Sequence, residues 1–257
     1  MKHKQMIREI TSWLMEAAQI VREGNQRQLT VQQKTSRTDL VTNMDQEIQT
    51  FLIKKIHQQY PQDAVLAEEE NYSTLASLNG NVWIIDPIDG TMNFVFEKEN
   101  FCIMLAYYCD GIGQLGFIFD VMKNELYWGA RGHGVYRNTT KLPQPSDCCL
   151  ADGLVGMNAY MYGENILASR EIGQKSMAIR VSGCAGIELI AILKGTHIGY
   201  ISNLSPWDYA AGLVLLTEFG IRYGGSQDQP LRFAGREYFF AATPTAYNEL
   251  LILQENH

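Results

Sequence analysis

The sequence predicts an α+β fold in which helices and β-sheets are stacked in layers. Apolar residues recur at a spacing of three and four near the start of the chain, which is typical of an amphipathic helix. Strand-like runs separated by short turns fill residues 101–136, and helical and strand-like segments alternate after residue 153. Such a mixture indicates sheets whose faces are covered by helices.

The 257 residues are enough for one large domain, and we expect a single domain over residues 1–257. Its N-terminal half, about 1–141, should carry an antiparallel sheet. Its C-terminal half, about 153–257, should carry alternating helices and strands. Residues 142–152 contain two prolines and are the best candidate for the segment that joins the halves.

In the N-terminal half, periodicity and turn residues together predict the elements. Gly24 can end the first helix, and Tyr60-Pro61 ends the second. The polar stretch 25–38 between them predicts a loop or an exposed hairpin. In chain order the predicted elements are helices before Gly24 and at about 43–58, strands at 64–67 and 82–85, and an antiparallel meander at 101–136.

In the C-terminal half, strands and helices alternate. Thr243-Pro244 provides the last helix with an N-cap and a first-turn proline, a position that needs no backbone N–H. The preceding predicted elements are strands near 154–157, 178–181 and 198–202, helices near 164–172, 185–193 and 209–219, and short strands near 221 and 239.

Composition and charge argue against several classes of partner. Lys and Arg total 21 against 28 Asp and Glu, a formal net charge of −7, so neither a nucleic-acid partner nor an anionic membrane is indicated. No apolar run is long enough for a signal peptide or a transmembrane helix. The five cysteines have neither zinc-site nor redox-motif spacing, which predicts reduced thiols in a cytoplasmic protein.

Residues 83–91, Trp-Ile-Ile-Asp-Pro-Ile-Asp-Gly-Thr, carry the most informative pattern. An apolar strand buried on both faces ends at Asp86, and such strand ends are favoured places for ligand sites. Asp86 and Asp89 can converge on one hard cation such as Mg²⁺, or straddle two, because the proline between them stiffens the turn. Gly90 and Thr91 can present backbone amides to a phosphate. A plain surface turn is the alternative.

Three further acidic segments could complete such a site. Glu68-Glu69-Glu70 follows a short apolar strand, and its alternative is a solvated acidic loop. Asp208 follows Trp207 at the start of an apolar helix, where an acidic residue is also a common cap. Asp45 lies three residues after Thr42, the spacing of a capping box, which does not exclude a role near the site.

Together these segments resemble the inositol monophosphatase family of Mg²⁺-dependent, lithium-sensitive phosphatases. The matching segments keep the family's order over nearly the whole chain: Lys34, Asp39 to Asp45, Glu68-Glu69, Trp83 to Asn93 and Trp207 to Gly212. The resemblance implies an αβαβα sandwich of the inositol monophosphatase and fructose-1,6-bisphosphatase type. It also implies a homodimer with two or three Mg²⁺ ions per site.

The resemblance further implies a ligand set for these metals. Glu68, Asp86 and the Ile88 carbonyl would hold the first ion. Asp86, Asp89 and Asp208 would hold the second, and Glu68 would contact a third, weaker one. Asp89 and Asp208 would also face the substrate. Cations placed in this way acidify a bound water and clamp the phosphoryl oxygens.

The implied catalytic residues are Glu68, Thr91 and Asp45. Thr91, hydrogen-bonded to Asp45, would act with Glu68 to orient and deprotonate the attacking water. The backbone amides of Gly90 and Thr91 would bind the phosphate. This chemistry requires no Ser, Cys or His nucleophile, and the sequence suggests none.

The identity of the substrate's alcohol rests on a departure from the family pattern. Gly183 and Ala185 match the segment that contacts substrate, but inositol-selective members carry a glutamate seven residues before the position of Asp208. Counting back in this sequence reaches Ile201, which cannot accept a hydrogen bond from a hydroxyl. We therefore expect hydrolysis to be retained and selectivity for inositol phosphate to be weak.

The sequence thus predicts a Mg²⁺-dependent phosphomonoesterase for a small phosphorylated metabolite. Alternative substrates are fructose 1,6-bisphosphate, a 3′-phosphorylated adenosine nucleotide and NADP. A different class is a non-catalytic regulatory partner of RNA polymerase, which the presence of Asp86, Asp89, Thr91 and Asp208 disfavours. A dinucleotide-binding oxidoreductase is also disfavoured, because no Gly-x-Gly-x-x-Gly turn follows the first strand.

Overall fold

The computed structural model describes residues 2–24, 30–33, 40–69, 73–75 and 77–255. Lys34, Asp39, Glu70 and most of the polar stretch 25–38 lie outside the described residues. Val31–Gln33, within that stretch, pairs antiparallel with Leu40–Thr42, which follows it. Among the described helices, none has both the length and the apolar character needed to cross a membrane.

The elements of the N-terminal half follow the predicted order. They are α1 (Lys2–Gly24), β1 (Val31–Gln33), β2 (Leu40–Thr42), α2 (Asn43–Gln59), β3 (Ala64–Ala67), β4 (Asn81–Asp89), α3 (Thr91–Phe96), β5 (Cys102–Cys109), β6 (Ile112–Asp120), β7 (Glu125–Ala130), β8 (Gly134–Arg137) and β9 (Thr140–Lys141). Strands β3 to β9 form a seven-stranded sheet in chain order.

This larger sheet departs from the expected antiparallel arrangement at one edge. The meander from β4 to β9 is antiparallel, but β3 and β4 pair in parallel. Parallel neighbours cannot be joined by a tight hairpin, so the chain must return from the end of one strand to the start of the next. Glu68 and Glu69 follow β3 directly and therefore lie at its carboxyl end.

The C-terminal half builds a five-stranded mixed sheet. Its elements are β10 (Leu154–Met157), α4 (Ala159–Glu164), α5 (Ser169–Lys175), β11 (Ala178–Arg180), α6 (Ala185–Leu193), β12 (Gly199–Leu204), α7 (Pro206–Glu218), β13 (Arg222–Gly224), β14 (Glu237–Ala242) and α8 (Pro244–Glu255). The strand order is β11-β10-β12-β14-β13, with β10, β11 and β12 parallel and the β14 pairings antiparallel.

The helix expected near 164–172 is in fact two short helices. Asn158 caps the first through its side chain, which accepts a hydrogen bond from a backbone N–H, so this helix begins earlier than predicted. Asn165, Leu167 and Ala168 then have φ values of 55°, 54° and 60°. These left-handed conformations cannot continue a right-handed helix, and the second helix begins only after them.

Three apolar clusters define five layers. Alternate residues of β4 face opposite sides: Trp83 and Ile85 pack with α1 and α2, whereas Val82 and Ile84 pack with α6, α7 and the smaller sheet. The third cluster joins the other face of the smaller sheet to α8. Helices α6 and α7 therefore lie between the two sheets, and the expected αβαβα arrangement is confirmed.

Candidate active site

The carboxyl end of β4 carries two buried carboxylates. Asp86 is 1% exposed and Asp89 is 8% exposed. The pairing of β4 with β5 is irregular between these two residues, where the intervening proline has no N–H for the ladder. Gly90 then turns the chain at φ 86°, a left-handed conformation that glycine adopts without strain, and α3 begins at Thr91.

These residues open into a cleft of about 670 Å³ between the two halves of the chain. Most of the residues predicted for the site line this cleft: Glu68, Asp86, Ile88, Asp89, Gly90, Thr91, Gly183, Ala185 and Asp208. Asp45 and Ile201 do not line it. The sequence motifs, which are spread over about 140 residues of chain, therefore converge at one place.

Asp45 lies beneath the cleft and contacts it through Thr91. Its Oδ2 accepts hydrogen bonds from the backbone N–H and the hydroxyl of Thr42, which completes the capping box of α2. Its Oδ1 lies 3.2 Å from Thr91 Oγ1, which is also 3.1 Å from the Ile88 carbonyl oxygen. A hydroxyl has one proton to donate, so Asp45 and Ile88 compete for it and together hold the Thr91 side chain in place.

Asp208 reaches the cleft from the first turn of α7. Its Oδ2 accepts a hydrogen bond of 2.9 Å from the backbone N–H of Ser205, within a second capping box. Helix α7 approaches the larger sheet closely at Gly116, where an added Cβ would lie 2.3 Å from the carbonyl oxygen of Ala211.

The acidic run after β3 presents Glu68 to the cleft. Glu69 is 4% exposed and turns away, because its backbone N–H and carbonyl both bond to the side-chain amide of Gln49, at 2.8 and 2.7 Å. Gln49 belongs to α2, so the same helix that presents Asp45 also sets the register of this run. This geometry favours Glu68 over Glu69 as the residue that faces the cleft.

The cleft concentrates negative charge in a buried environment. Burial is the main cause that raises the pKa of Asp86 well above its usual range, and the charges of Glu68, Asp89 and Asp208 raise it further. Burial, followed by the charges of Asp89 and Glu68, raises the pKa of Asp208 to about 7, although Arg236 opposes this. A divalent cation among these oxygens would remove the repulsion.

The donor set fits a hard divalent cation. Asp86 Oδ1 is buried and has no hydrogen-bond partner among the residues that the structure describes. A buried carboxylate oxygen without a partner is costly, and a cation is its natural counterpart. The surrounding donors are carboxylate and carbonyl oxygens, which Mg²⁺ and Ca²⁺ prefer.

Asp89 is held more firmly than Asp86. Its two carboxylate oxygens accept hydrogen bonds from the backbone N–H groups of Ala185 and Gly186, at 3.2 and 2.5 Å. The thiol of Cys184 also donates to it, at 3.1 Å. Burial raises the pKa of Asp89, while these hydrogen bonds lower it. The start of α6 therefore orients Asp89, and Ala185 lines the cleft while its N–H is engaged with this carboxylate.

The structure corrects the placement of Ile201. Its side chain is fully buried in the apolar cluster on the far face of the smaller sheet, together with Met157 and Phe240. Successive side chains of a strand point to opposite faces, so its neighbours Tyr200 and Ser202 line the cleft instead. Ile201 therefore lies on the face of β12 that is turned away from the cleft.

Sequence reasoning missed two charged residues in the cleft. Glu188 of α6 is 1% exposed, and its carboxylate accepts from the backbone N–H of Ser182 at 3.1 Å and lies 2.8 Å from His197 Nδ1. Glu188 is the one acidic residue in the otherwise apolar helix α6, and this pattern could have indicated a buried functional carboxylate. Arg236 reaches the rim of the cleft, 4.0 Å from Asp208, from a loop whose sequence carries no comparable signal.

The fold and this site define a class of protein: a layered α+β enzyme with an acidic, cation-binding cleft. A family model described as the inositol monophosphatase family matches residues 2–256, and the chain belongs to that family. It is therefore a phosphomonoesterase that depends on a divalent metal.

Individual relatives agree with this assignment. The chain is 36% identical over 247 residues to an inositol-1-monophosphatase of Bacillus subtilis, which covers 93% of this chain and 92% of the relative. It is 30% identical to the Nus factor SuhB of Escherichia coli, over 71% of this chain and 70% of the relative. A structure of an IMPase/NADP phosphatase complexed with Mg²⁺ and phosphate superimposes with a TM-score of 0.91 at 27% identity, covering 98% of this chain and 96% of that one.

Proposed function

We propose that this phosphatase uses Mg²⁺ to hydrolyse a range of small phosphate monoesters with little selectivity for the alcohol. The convergence of Glu68, Asp86, Asp89 and Asp208 on one cleft, with a buried Asp86 oxygen that no described residue satisfies, carries the proposal. Mg²⁺ is the cation in one related structure, and oxygen-only ligands suit it.

The proposed site would hold two or three Mg²⁺ ions. Glu68, Asp86 and the Ile88 carbonyl would hold the first, Asp86, Asp89 and Asp208 would hold the second, and Glu68 would contribute to a third, weaker one. When bound, such ions acidify a water and neutralise charge on the phosphoryl and leaving oxygens. Asp86 belongs to both principal sets, which agrees with its central, deeply buried position.

The remaining roles belong to groups that handle protons and bind the phosphate. Glu68 is the proton acceptor for the attacking water. Thr91 orients that water, because its own hydroxyl is held between Asp45 and Ile88 at 3.2 and 3.1 Å. The backbone amides of Gly90 and Thr91 bind the phosphate. Gly183 and Ala185 lie beside the substrate.

The substrate range follows from what the smaller sheet presents to the cleft. Tyr200 and Ser202 of β12 face it, and neither carries a carboxylate. The buried carboxylate of Glu188 also lines the cleft, but it is already bonded to the Ser182 N–H and to His197. A site whose buried acceptors are committed to the protein rejects substrate analogues weakly. The names of the related proteins point to inositol 1-phosphate and NADP as two substrates of different shape, and both fit this expectation.

The proposal is tested by phosphate release from a panel of monoesters in Mg²⁺. The panel is inositol 1-phosphate, glycerol phosphate, fructose 1,6-bisphosphate, a 3′-phosphorylated adenosine nucleotide and NADP. We expect several of them to fall within about tenfold in kcat/KM. A preference above about a hundredfold for one of them would contradict the proposed breadth.

We further propose a homodimer, as the family resemblance implies, and a cytoplasmic location, as the cysteine spacing predicts. Light scattering coupled to size-exclusion chromatography tests the dimer.

The relatives named Nus factor SuhB raise a regulatory role as a second candidate. A pull-down with RNA polymerase, using wild type and Asp86→Asn, tests it separately from catalysis.

A further inference from the structure

A compact cluster of two thiols and a carboxylate lies beside the proposed Mg²⁺ site. It consists of Cys102, Cys184 and Asp89, and we call it the thiol cluster. The two sulfur atoms are 3.9 Å apart, and Asp89 Oδ2 lies 3.1 Å from Cys184 Sγ and 3.6 Å from Cys102 Sγ. Nothing in the proposed phosphatase chemistry requires either thiol.

These separations match those of a tetrahedral thiolate site. Two sulfurs bound to Zn²⁺ at about 2.3 Å in tetrahedral geometry stand about 3.8 Å apart, and a sulfur and a carboxylate oxygen about 3.5 Å apart. The thiol cluster therefore needs only small side-chain shifts to enclose such an ion. A third sulfur is near: Met104 Sδ and Cys102 Sγ both lie within 3.0 Å of the position that a Cβ on Gly186 would occupy.

Rigid elements hold the cluster, and the cleft gives access to it. Cys102 begins β5 and Cys184 immediately precedes α6, and both are almost fully buried. Asp89 is fixed by the first two backbone N–H groups of α6. Asp89 and Cys184 both line the cleft, so an ion that enters the active site reaches the cluster directly. Preorganised ligands of this kind lower the cost of binding.

The ligand types select the class of ion. Thiolates and thioethers favour soft or borderline cations, whereas Mg²⁺ favours oxygen. We propose that Asp89, Cys102 and Cys184 form a binding site for a thiophilic divalent cation, with Zn²⁺ as the representative, and that its occupancy inhibits the phosphatase. Binding releases the two thiol protons to solvent, and no atom changes oxidation state.

Inhibition follows from the atom that the two sites share. Asp89 is a ligand of the second Mg²⁺ in the proposed function, and the thiol cluster uses its Oδ2. A thiophilic ion there occupies this oxygen, which is then no longer available to the second Mg²⁺, and so weakens the Mg²⁺ set. The inhibitory part of the inference thus rests on the proposed function, whereas the binding part rests on the geometry alone.

Optical titration with Co²⁺ tests the binding part without substrate. The three remaining cysteines, Cys109, Cys148 and Cys149, are first replaced by Ser to give a background variant whose only thiols are Cys102 and Cys184. Titrated under reducing conditions in saturating Mg²⁺, this variant should show thiolate-to-Co²⁺ charge transfer and tetrahedral visible bands that saturate at one equivalent. Zn²⁺ added afterwards should abolish the bands.

Removing either thiol should abolish the signal. In the background variant, Cys184→Ala and Cys102→Ala should each eliminate the charge-transfer band and weaken Zn²⁺ binding by at least about a hundredfold, since loss of an outer-sphere partner alone costs 10–100-fold. Cys184→Ser, which conserves size and a hydrogen-bond donor, guards against a packing artefact, and circular dichroism checks each fold. Absence of the band at one equivalent, or its persistence in both Ala variants, would overturn the site.

Phosphate release tests the inhibitory part. Each protein's Zn²⁺ sensitivity is normalised to its own uninhibited rate, with wild type and Cys109→Ala as matched controls. The concentration for half-inhibition should rise at least about a hundredfold in Cys102→Ala. Co²⁺ binding together with unchanged activity would overturn the inhibition and leave the site. Absence of any phosphatase activity would refute the proposed function while the optical result still decides the site.

Discussion

Asp86→Asn is expected to abolish activity and yet stabilise the metal-free protein. Asp86 is 1% exposed, burial and three neighbouring carboxylates raise its pKa, and its Oδ1 has no partner among the described residues. Neutral Asn removes the repulsion from the neighbouring carboxylates. A poorly compensated buried polar group costs about 1–3 kcal/mol, so the free energy of unfolding should rise by up to that amount, and Tm by ~2–4 °C per kcal/mol.

The same substitution should remove the response to Mg²⁺. An ion that binds only the folded state at a hundred times its Kd stabilises by about 2.7 kcal/mol, which thermal unfolding with and without Mg²⁺ detects. Wild type and the exposed control Asp152→Asn should show this stabilisation, and Asp86→Asn should not. Phosphate release above a few percent of wild type, or an undiminished Mg²⁺ response in Asp86→Asn, would refute the assignment of Asp86 to both metals.

Three further predictions concern the acidic run, pH and specificity. Glu68→Gln should lower kcat/KM nearly as much as Asp86→Asn does, whereas Glu69→Gln should lower it little. The reverse order would show that Glu69, not Glu68, is the catalytic residue of the acidic run. Because the folded pKa of Asp208 is raised from 3.8 to about 7, the metal-free protein should lose stability as pH rises from about 4 to 7. In thermal unfolding of the metal-free protein, Asp208→Asn should make Tm less dependent on pH over this range. Ile201→Glu should lower Tm sharply, because it buries an unpaired carboxylate in an apolar cluster. Ser202→Glu should instead raise kcat/KM for polyol phosphates relative to the other substrates of the panel. Unchanged ratios of kcat/KM would contradict the assignment of Ser202 to the face of β12 that lines the cleft.

Much of the fold could be predicted because local pattern and packing agree. The apolar run of β4 packs on both of its faces, as a strand between two helical layers must. The parallel pairing of β3 with β4 could not be predicted, because no local pattern distinguishes a strand that pairs in parallel from one at an antiparallel edge. The break in the helix at Leu167 and Ala168 could not be predicted either, because tertiary packing imposes positive φ on residues that do not favour it.

The sequence predicts which residues lie close together where they belong to one short motif, but not where their position depends on the face of a strand. Asp86, Asp89, Gly90 and Thr91 are contiguous, so their convergence is a property of one turn. The side of β12 that faces the cleft depends on how that strand pairs with β10 and β14, which the sequence does not state. A one-residue error of this kind moves a side chain to the opposite face, which is why Ile201 was misplaced.

Helix capping and function are not competing explanations for Asp45 and Asp208. In each case a capping box binds the carboxylate through one oxygen: Asp45 Oδ2 accepts from Thr42, and Asp208 Oδ2 from Ser205. The cap fixes the direction of the carboxylate, which leaves Asp45 Oδ1 facing Thr91 and holds Asp208 at the wall of the cleft. A carboxylate that must meet a cation at a set distance has to be immobilised, and a helix N-terminus does this with backbone N–H groups. The same hydrogen bonds that begin these helices therefore position both carboxylates for their proposed roles.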